Sequence, residues 1–345
     1  MCAPITVSMA TGIGSAVLVS KLFGMAGLVS FLLLNFRRSI AKFLGMKKVI
    51  IAILLAALML MLTAPVALAK PDKDKPIPAS DIELVQKITL KGKPVGKGKP
   101  EKQAATGKLG DLCEGNKFAI IVGISDYPGE DSDLEYADDD ADAVYATLTN
   151  RYGYNPSNIY NLQDMAASYS AIKAAVDDIK IRENAGDEVV FYFSGHGAKG
   201  RAMDGDREKV DESIVCHDGN SKGKFIYIWD GELAEWFSGF DTSRIIFIFD
   251  SCLSGGMTDL SDNGRVINMA SSENGSSYEG SWGGGHGQFT YYYIIEGMWQ
   301  YEADNYDNFE DIPDVTVEEA FDYAKENCIW QSPQITDKFG NDLLL

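Results

Sequence analysis

Histidine is scarce in this chain, with three in 345 residues, and cysteine is nearly as scarce, with five. So few cysteines exclude a disulfide-stapled scaffold. The three histidines have no zinc-site spacing. Acid is missing altogether from residues 1–69, a mostly apolar stretch with six Lys/Arg. Base is short in the rest: residues 113–345 hold 15 Lys/Arg against 44 Asp/Glu. A surface so negative repels nucleic acid, so no nucleic-acid partner is expected. It attracts cationic peptides or metal ions, or serves solubility alone.

The acid-free region divides in two. Met46-Lys47-Lys48 opens a basic segment, VIIAILLAALMLML forms an apolar core, and Ala67-Leu68-Ala69 is a small-x-small cleavage site. Residues 46–69 therefore read as a secretory signal peptide, or as a membrane anchor if uncleaved. Residues 1–45 have two readings. Gly12 to Phe36 is long and apolar enough to span a bilayer, with Arg37, Arg38, Lys42, Lys47 and Lys48 in a cytoplasmic loop. Otherwise translation starts at Met46 and 1–45 is a mis-assigned start. Both readings put residues 70–345 outside the cytoplasm, secreted or held at a membrane through residues 12–69. Residues 70–112 are rich in Lys, Pro and Gly, with ten Lys against six acids. They read as a flexible linker or propeptide, within which IELVQKITL pairs as a strand or belongs to the propeptide. The folded domain is expected at 113–345.

In that domain the continuous apolar run at 118–124 predicts a strand buried on both faces. A helix follows whose first turn carries Asp138, Asp139 and Asp140, a charge suited to a helix N-terminus. Further strands are expected at 158–162, 188–193, 245–249 and 265–270, with a short candidate at 212–218 and an edge strand at 333–336. Amphipathic spacing predicts helices over 170–181, 230–237, 288–301 and 316–327. Strands alternating with helices argue a mostly parallel α/β sheet with helices on both faces. Ligands of such sheets bind at the carboxyl ends of the strands. Two chemically useful residues stand just past such ends: His196 in SGHG and Cys252 in DSCLSGG.

A thiol attacks as thiolate, and a neighbouring imidazole can take its proton and later protonate a leaving amine. Cys252 is thus the candidate nucleophile and His196 the candidate base, with the backbone N–H groups of Gly197 and Cys252 as an oxyanion hole. Cys216 and Cys328 read as small core residues, and His217 and His286 as surface residues. Cys113 and Cys328 flank the domain and are a candidate bridge. Gly195-x-Gly197-x-x-Gly200 matches a dinucleotide fingerprint by letter, but no apolar helix follows it, as that motif requires.

The order of KFAIIVGISDYPG, DLEYADDDADA, SGHGAKG, DSCLSGG, ASSENGSSYE and GHGQFTYYYIIEGM resembles the caspase-like cysteine peptidases, nearest the prokaryotic relatives of metacaspases. ASSENGSSYE is also similar to legumain-type peptidases of the same superfamily. The resemblance covers roughly 117–340 and implies a three-layer αβα sandwich around a mostly parallel six-stranded sheet. It implies a cysteine endopeptidase. Asp250 and Asp140 would line the pocket for the substrate side chain before the cut bond. Two carboxylates there favour Arg or Lys, so protein or peptide substrates cut after a basic residue are expected. No cofactor is required, but the resemblance implies calcium activation through Asp211, Asp230 and Asp259, one further acid position being taken by Trp229 or Gly231. It also implies self-cleavage, for which Arg201, Arg207, Lys209, Lys222, Lys224 and Arg265 are basic residues expected in loops. The alternative is a non-catalytic surface module that holds basic peptides on the same rim.

Overall fold

Along Lys117–Gly123 successive side chains face opposite ways, and each set enters a different core. Phe118, Ile120 and Val122 join one buried cluster; Ala119 and Ile121 join the other. A strand apolar at every position can do this only as the middle of three layers. The computed structural model describes residues 82–90, 103–201, 210–220, 224–304 and 314–345. The expected signal and spanning segments lie outside those residues, as do Arg207, Lys209 and Lys222. Among the described residues no helix is long and apolar enough to cross a membrane.

The described residues open with two short strands, β1 (Glu83–Val85) and β2 (Ile88–Leu90). The central sheet then builds from β3 (Lys117–Gly123), helix α1 (Ala137–Asn150), β4 (Ile159–Gln163), helix α2 (Tyr169–Arg182) and β5 (Glu188–Ser194). A hairpin-rich excursion follows: β6 (Gly197–Gly200), β7 (Asp211–Asn220) and β8 (Lys224–Trp229), closed by helix α3 (Asp230–Phe237). The chain returns through β9 (Ile245–Asp250) and β10 (Arg265–Met269), then β11 (Tyr278–Gly280) and β12 (His286–Gly287). Last come helix α4 (Gln288–Thr290), which runs on as a π-helix over Tyr291–Trp299, helix α5 (Val317–Asn327), and β13 (Gln334–Asp337).

The main sheet has six strands in the order β13-β10-β9-β5-β3-β4. All neighbours are parallel except β13, which pairs antiparallel with β10. One face is covered by α2 and α3 through Ile172, Val176, Ile179, Leu233 and Phe237. The other is covered by α1, the π-helix and α5 through Val144, Leu148, Tyr293 and Phe321. The expected αβα sandwich with a six-stranded, mostly parallel sheet is therefore what the chain forms. Two smaller sheets sit beside it, β1-β6-β7-β8 and β12-β11-β2.

Three expectations need correction. Residues 103–112 are not a free linker: Asp322 accepts the N–H groups of Ala104 and Ala105, and Asp342 those of Thr106, Gly107 and Lys108. A backbone whose donors are tied to buried carboxylates belongs to the domain. Arg265 is not in a loop but opens β10, nearly buried, donating to the carbonyls of Leu260 and Phe237. Lys224 opens β8. Cys113 and Cys328 form no bridge; the four cysteines among the described residues are free thiols.

Candidate active site

The site begins with register. β5 and β9 are parallel neighbours, and their last residues, Ser194 and Asp250, are partners in the ladder. Two residues beyond each lie His196 and Cys252, so the sheet delivers both to one rim. Cys252 is followed at once by Leu253 at φ 63, a left-handed conformation that a leucine rarely adopts. The chain there turns sharply from strand into the 3-10 segment Ser254–Leu260. Gly197 lies so close to this turn that a Cβ on it would collide with the carbonyl oxygen of Cys252.

His196 is 1% exposed. Its Nε2 meets the carbonyl oxygen of Ser132 at 2.7 Å, so Nε2 carries the proton, while Nδ1 accepts from the N–H of Lys87 at 3.0 Å. Tyr127 stacks on the ring, centroids 4.6 Å apart, and its hydroxyl accepts from His196 N and donates to Val215 O. Burial depresses the imidazole from 6.5 to about 4, against the Ser132 hydrogen bond, with Lys87 adding to the depression. At neutral pH the ring is an unprotonated base. Burial also pushes the Cys252 thiol up, with the Ser277 N–H and Lys87 opposing it. The sulfur accepts from Ser277 N at 3.1 Å and lies 3.3 Å from the carbonyl oxygen of Gln86. Imidazole and thiol thus face opposite ends of a single peptide group, that joining Gln86 to Lys87.

Beside them is a closed acidic pocket. Asp250 and Asp140 are both fully buried. Asp250 accepts from Ser277 Oγ at 2.6 Å and from the N and Oγ1 of Thr290 at 3.0 and 2.8 Å. Asp140 accepts from Ser194 Oγ at 2.8 Å and from Gly287 N, and His286 Nδ1 lies 3.1 Å from it. The Lys87 ammonium fills the pocket. It sits 3.0 Å from Asp250 Oδ1, 3.0 Å from Ser194 Oγ, 3.2 Å from Asp250 O and 3.6 Å from Asp140 Oδ2. Burial alone would lower its pKa, but Asp250, Asp140 and Glu279 outweigh burial and the net shift is upward. Buried Glu279 completes the wall, accepting from Thr89 Oγ1 and Glu135 N.

Sequence reasoning brought His196, Gly197, Cys252, Asp140 and Asp250 to this rim, and they are together here. It missed Lys87, Ser194, Tyr127, Ser277, Glu279 and Gly287. Tyr127, Ser194, Ser277, Glu279 and Gly287 stand inside the stretches that carry the resemblance, whereas the one signal at Lys87 is its place as the one base in an apolar patch of a Lys-rich stretch. His286, expected as a surface residue, touches Asp140 instead. The expected calcium set does not assemble. Asp211 opens β7 and Asp230 opens α3, both buried, while Asp259 lies half-buried in the 3-10 segment. Among the described residues no three His, Cys, Asp or Glu side chains are grouped to hold a metal ion.

Comparison with known proteins gives the family. Metacaspase-1 of Schizosaccharomyces pombe is 29% identical over 160 residues, 43% of this chain and 36% of that protein. Metacaspase-4 of Arabidopsis thaliana is 32% identical over 151 residues, 41% of this chain and 34% of that one. The match spans about a third of the length of these curated relatives. Among solved structures, protein GSU0716 from Geobacter sulfurreducens aligns over 64% of this chain and 93% of its own, with a TM-score of 0.48 and 15% identity. The caspase-domain family model, peptidase C14, matches residues 116–333, most of the described sheet and both rim residues. The chain belongs to that family, the caspase-domain peptidases C14.

Proposed function

We propose that the protein is a cysteine endopeptidase that cuts after Lys or Arg, with Cys252 as nucleophile and His196 as base. One observation carries this reading: a thiol and a neutral imidazole nitrogen flank one peptide group, next to a two-carboxylate pocket already holding an ammonium. Nδ1 takes the thiol proton, and the sulfur forms a bond to the substrate carbonyl carbon. N–H groups of Gly197 and Cys252 stabilise the oxyanion. As the C–N bond breaks, the imidazolium returns the proton to the leaving amine. Water, deprotonated by Nδ1, then cleaves the thioester and frees acid and thiol. No step is assigned to calcium.

The test is hydrolysis of a peptide panel varied at the residue before the cut. Wild type, Cys252→Ala and Lys87→Ala chains are compared, the last because Lys87 fills the pocket. Cleavage after Lys and Arg that disappears with Cys252→Ala is expected. Preference for Asp or Asn overturns the specificity. Retained peptide binding with no cleavage, and no labelling of Cys252 by an arginyl chloromethyl ketone, favours a binding module instead.

Two broader readings follow the sequence. Self-cleavage at exposed basic residues, Arg201 and Lys224 among those described, requires wild type to nick itself where Cys252→Ala stays intact. Export through residues 46–69 places the peptidase outside the cytoplasm, secreted or anchored. A mature N-terminus at Lys70 indicates a cleaved signal, and an uncut one indicates an anchor.

A further inference from the structure

The segment in the cleft runs the wrong way for a substrate. β1 lies antiparallel on β6, with Val85 opposite Gly197, so residues before Lys87 lie on the His196–Gly197 side. β2 lies parallel on β11, with Ile88 opposite Tyr278, and Ile88 N donates to Ser277 O at 3.0 Å, so residues after Lys87 lie on the pocket side. A substrate with lysine in the pocket must present the carbonyl that follows that lysine to the thiol, and the next nitrogen to the imidazole. Its chain therefore passes from β11 towards β6. Residues 83–90 pass from β6 towards β11. The peptide group at the thiol is accordingly the one before Lys87, not the one after it.

This polarity leaves the chemistry stalled. The thiol meets the oxygen of Gln86, whereas attack needs the carbon. The N–H of Lys87 occupies Nδ1, the lone pair that would take the thiol proton. Meanwhile the lysine side chain gains everything the pocket offers, since its three donors meet Ser194 Oγ, Asp250 O and Asp250 Oδ1. Thr89 Oγ1 adds a 2.6 Å hydrogen bond to Glu279.

We propose that residues 82–90 are a built-in competitive inhibitor, a reverse-threaded pseudosubstrate anchored by Lys87, which lysine-bearing substrates must displace. The inference rests on the peptidase reading for its kinetic consequence but not for its binding consequence. Occlusion lowers apparent activity by the fraction of molecules with an open cleft, and removing the anchor restores that fraction.

Two measurements on the full chain test it. First, the initial rate of Cys252 labelling by a lysyl chloromethyl ketone is compared between wild type and Lys87→Ala or Lys87→Gln, with thermal melts to check folding. At least about a tenfold rise is expected in either variant that melts cooperatively. Intact mass should show wild type uncut on both sides of Lys87 over the same time. An unchanged labelling rate, or cutting after Lys87 at the rate of an added lysyl peptide, overturns the inhibitor. Second, a synthetic peptide of residues 82–90 is added to a Cys252→Ala, Lys87→Ala chain, which cannot turn over. Saturable binding is expected, lost when the peptide carries Ala for Lys87. Binding without hydrolysis by any variant keeps the strap and sinks the peptidase reading. Absence of peptide binding in a chain that does hydrolyse lysyl substrates sinks the strap alone.

Discussion

Gly287 shows how much of the pocket is decided by a missing methyl group. Its φ of −59 suits any residue, so the backbone does not demand glycine. An added Cβ would instead collide with Asp250 Oδ2 and stand 2.7 Å from the Lys87 ammonium and 2.8 Å from Asp140 Oδ2. Gly287→Ala should therefore leave the fold intact while excluding a basic side chain. The expected outcome is a drop of about a hundredfold in kcat/KM for lysyl peptides, equal to roughly 3 kcal/mol of lost charged hydrogen bonds. A purified variant with normal far-UV dichroism and unchanged kinetics would move the specificity pocket elsewhere. His196 gives a second expectation. Its proton is held at about 6.5 when the chain is unfolded but only at about 4 in the folded protein. Between those values the unfolded chain binds more protons, so stability rises with pH and is lost as pH falls from 6.5 to 4. The full effect is at most about 3 kcal/mol. Urea midpoints between pH 4 and 7 should show this slope in wild type and not in His196→Gln.

At the scale of elements, the segment that leads into β3 is held by the last residues of the chain. Asp342 Oδ1 accepts from Thr106 N and Oγ1, and Oδ2 from Gly107 N and Lys108 N. Asp342→Ala leaves these donors to water and should free the segment. Hydrogen exchange at 106–108 should quicken by at least about tenfold, with trypsin newly cutting after Lys108, while the central strands keep their protection. Unchanged exchange would mean that packing of Ala104 and Leu109, not the carboxylate, holds the segment. This clamp was not legible in the sequence, because a Lys- and Gly-rich stretch looks the same whether its amides meet water or an acid 234 residues away. The six-stranded sheet was legible, because a strand such as Val189–Phe193 buried on both faces leaves a continuous apolar run. β6 was not: Gly197-Ala-Lys-Gly200 carries no apolar signal and is a strand only because β1 and β7 flank it. The π-helix was read as an ordinary helix for a related reason. Its i→i+5 closure, Gln300 N to Ile295 O, adds a residue per turn without changing composition. The rim residues were legible through resemblance, since SGHG and DSCLSGG travel together. Lys87 was only half legible: it stands out among ten lysines between 70 and 112 as the one inside the apolar patch IELVQKITL, but nothing local says that a pocket receives it.

The whole molecule sets the terms on which a substrate arrives. Residues 113–345 carry far more acid than base, and the two buried pocket carboxylates lie at the end of that field. A cationic peptide is drawn in from about a Debye length away, roughly 10 Å at 0.1 M salt. The strap segment competes from within the same chain, so its local concentration does not change with dilution. Salt should therefore act on the two differently. Association of a free lysyl peptide is long-ranged and screened, while the buried Lys87–Asp250 pair, 3.0 Å apart and shielded from solvent, is screened far less. With Lys87→Ala, kcat/KM for a peptide bearing several basic residues should fall severalfold between 0.05 and 0.5 M salt, and much less for one whose only base is the pocket lysine. In wild type the fall should be at least as steep, because the competitor keeps its grip while the substrate loses its attraction. A wild-type rate that instead rises with salt would show that the anchor is the more exposed of the two contacts, contrary to the burial of Lys87, Asp140 and Asp250 on which occlusion depends.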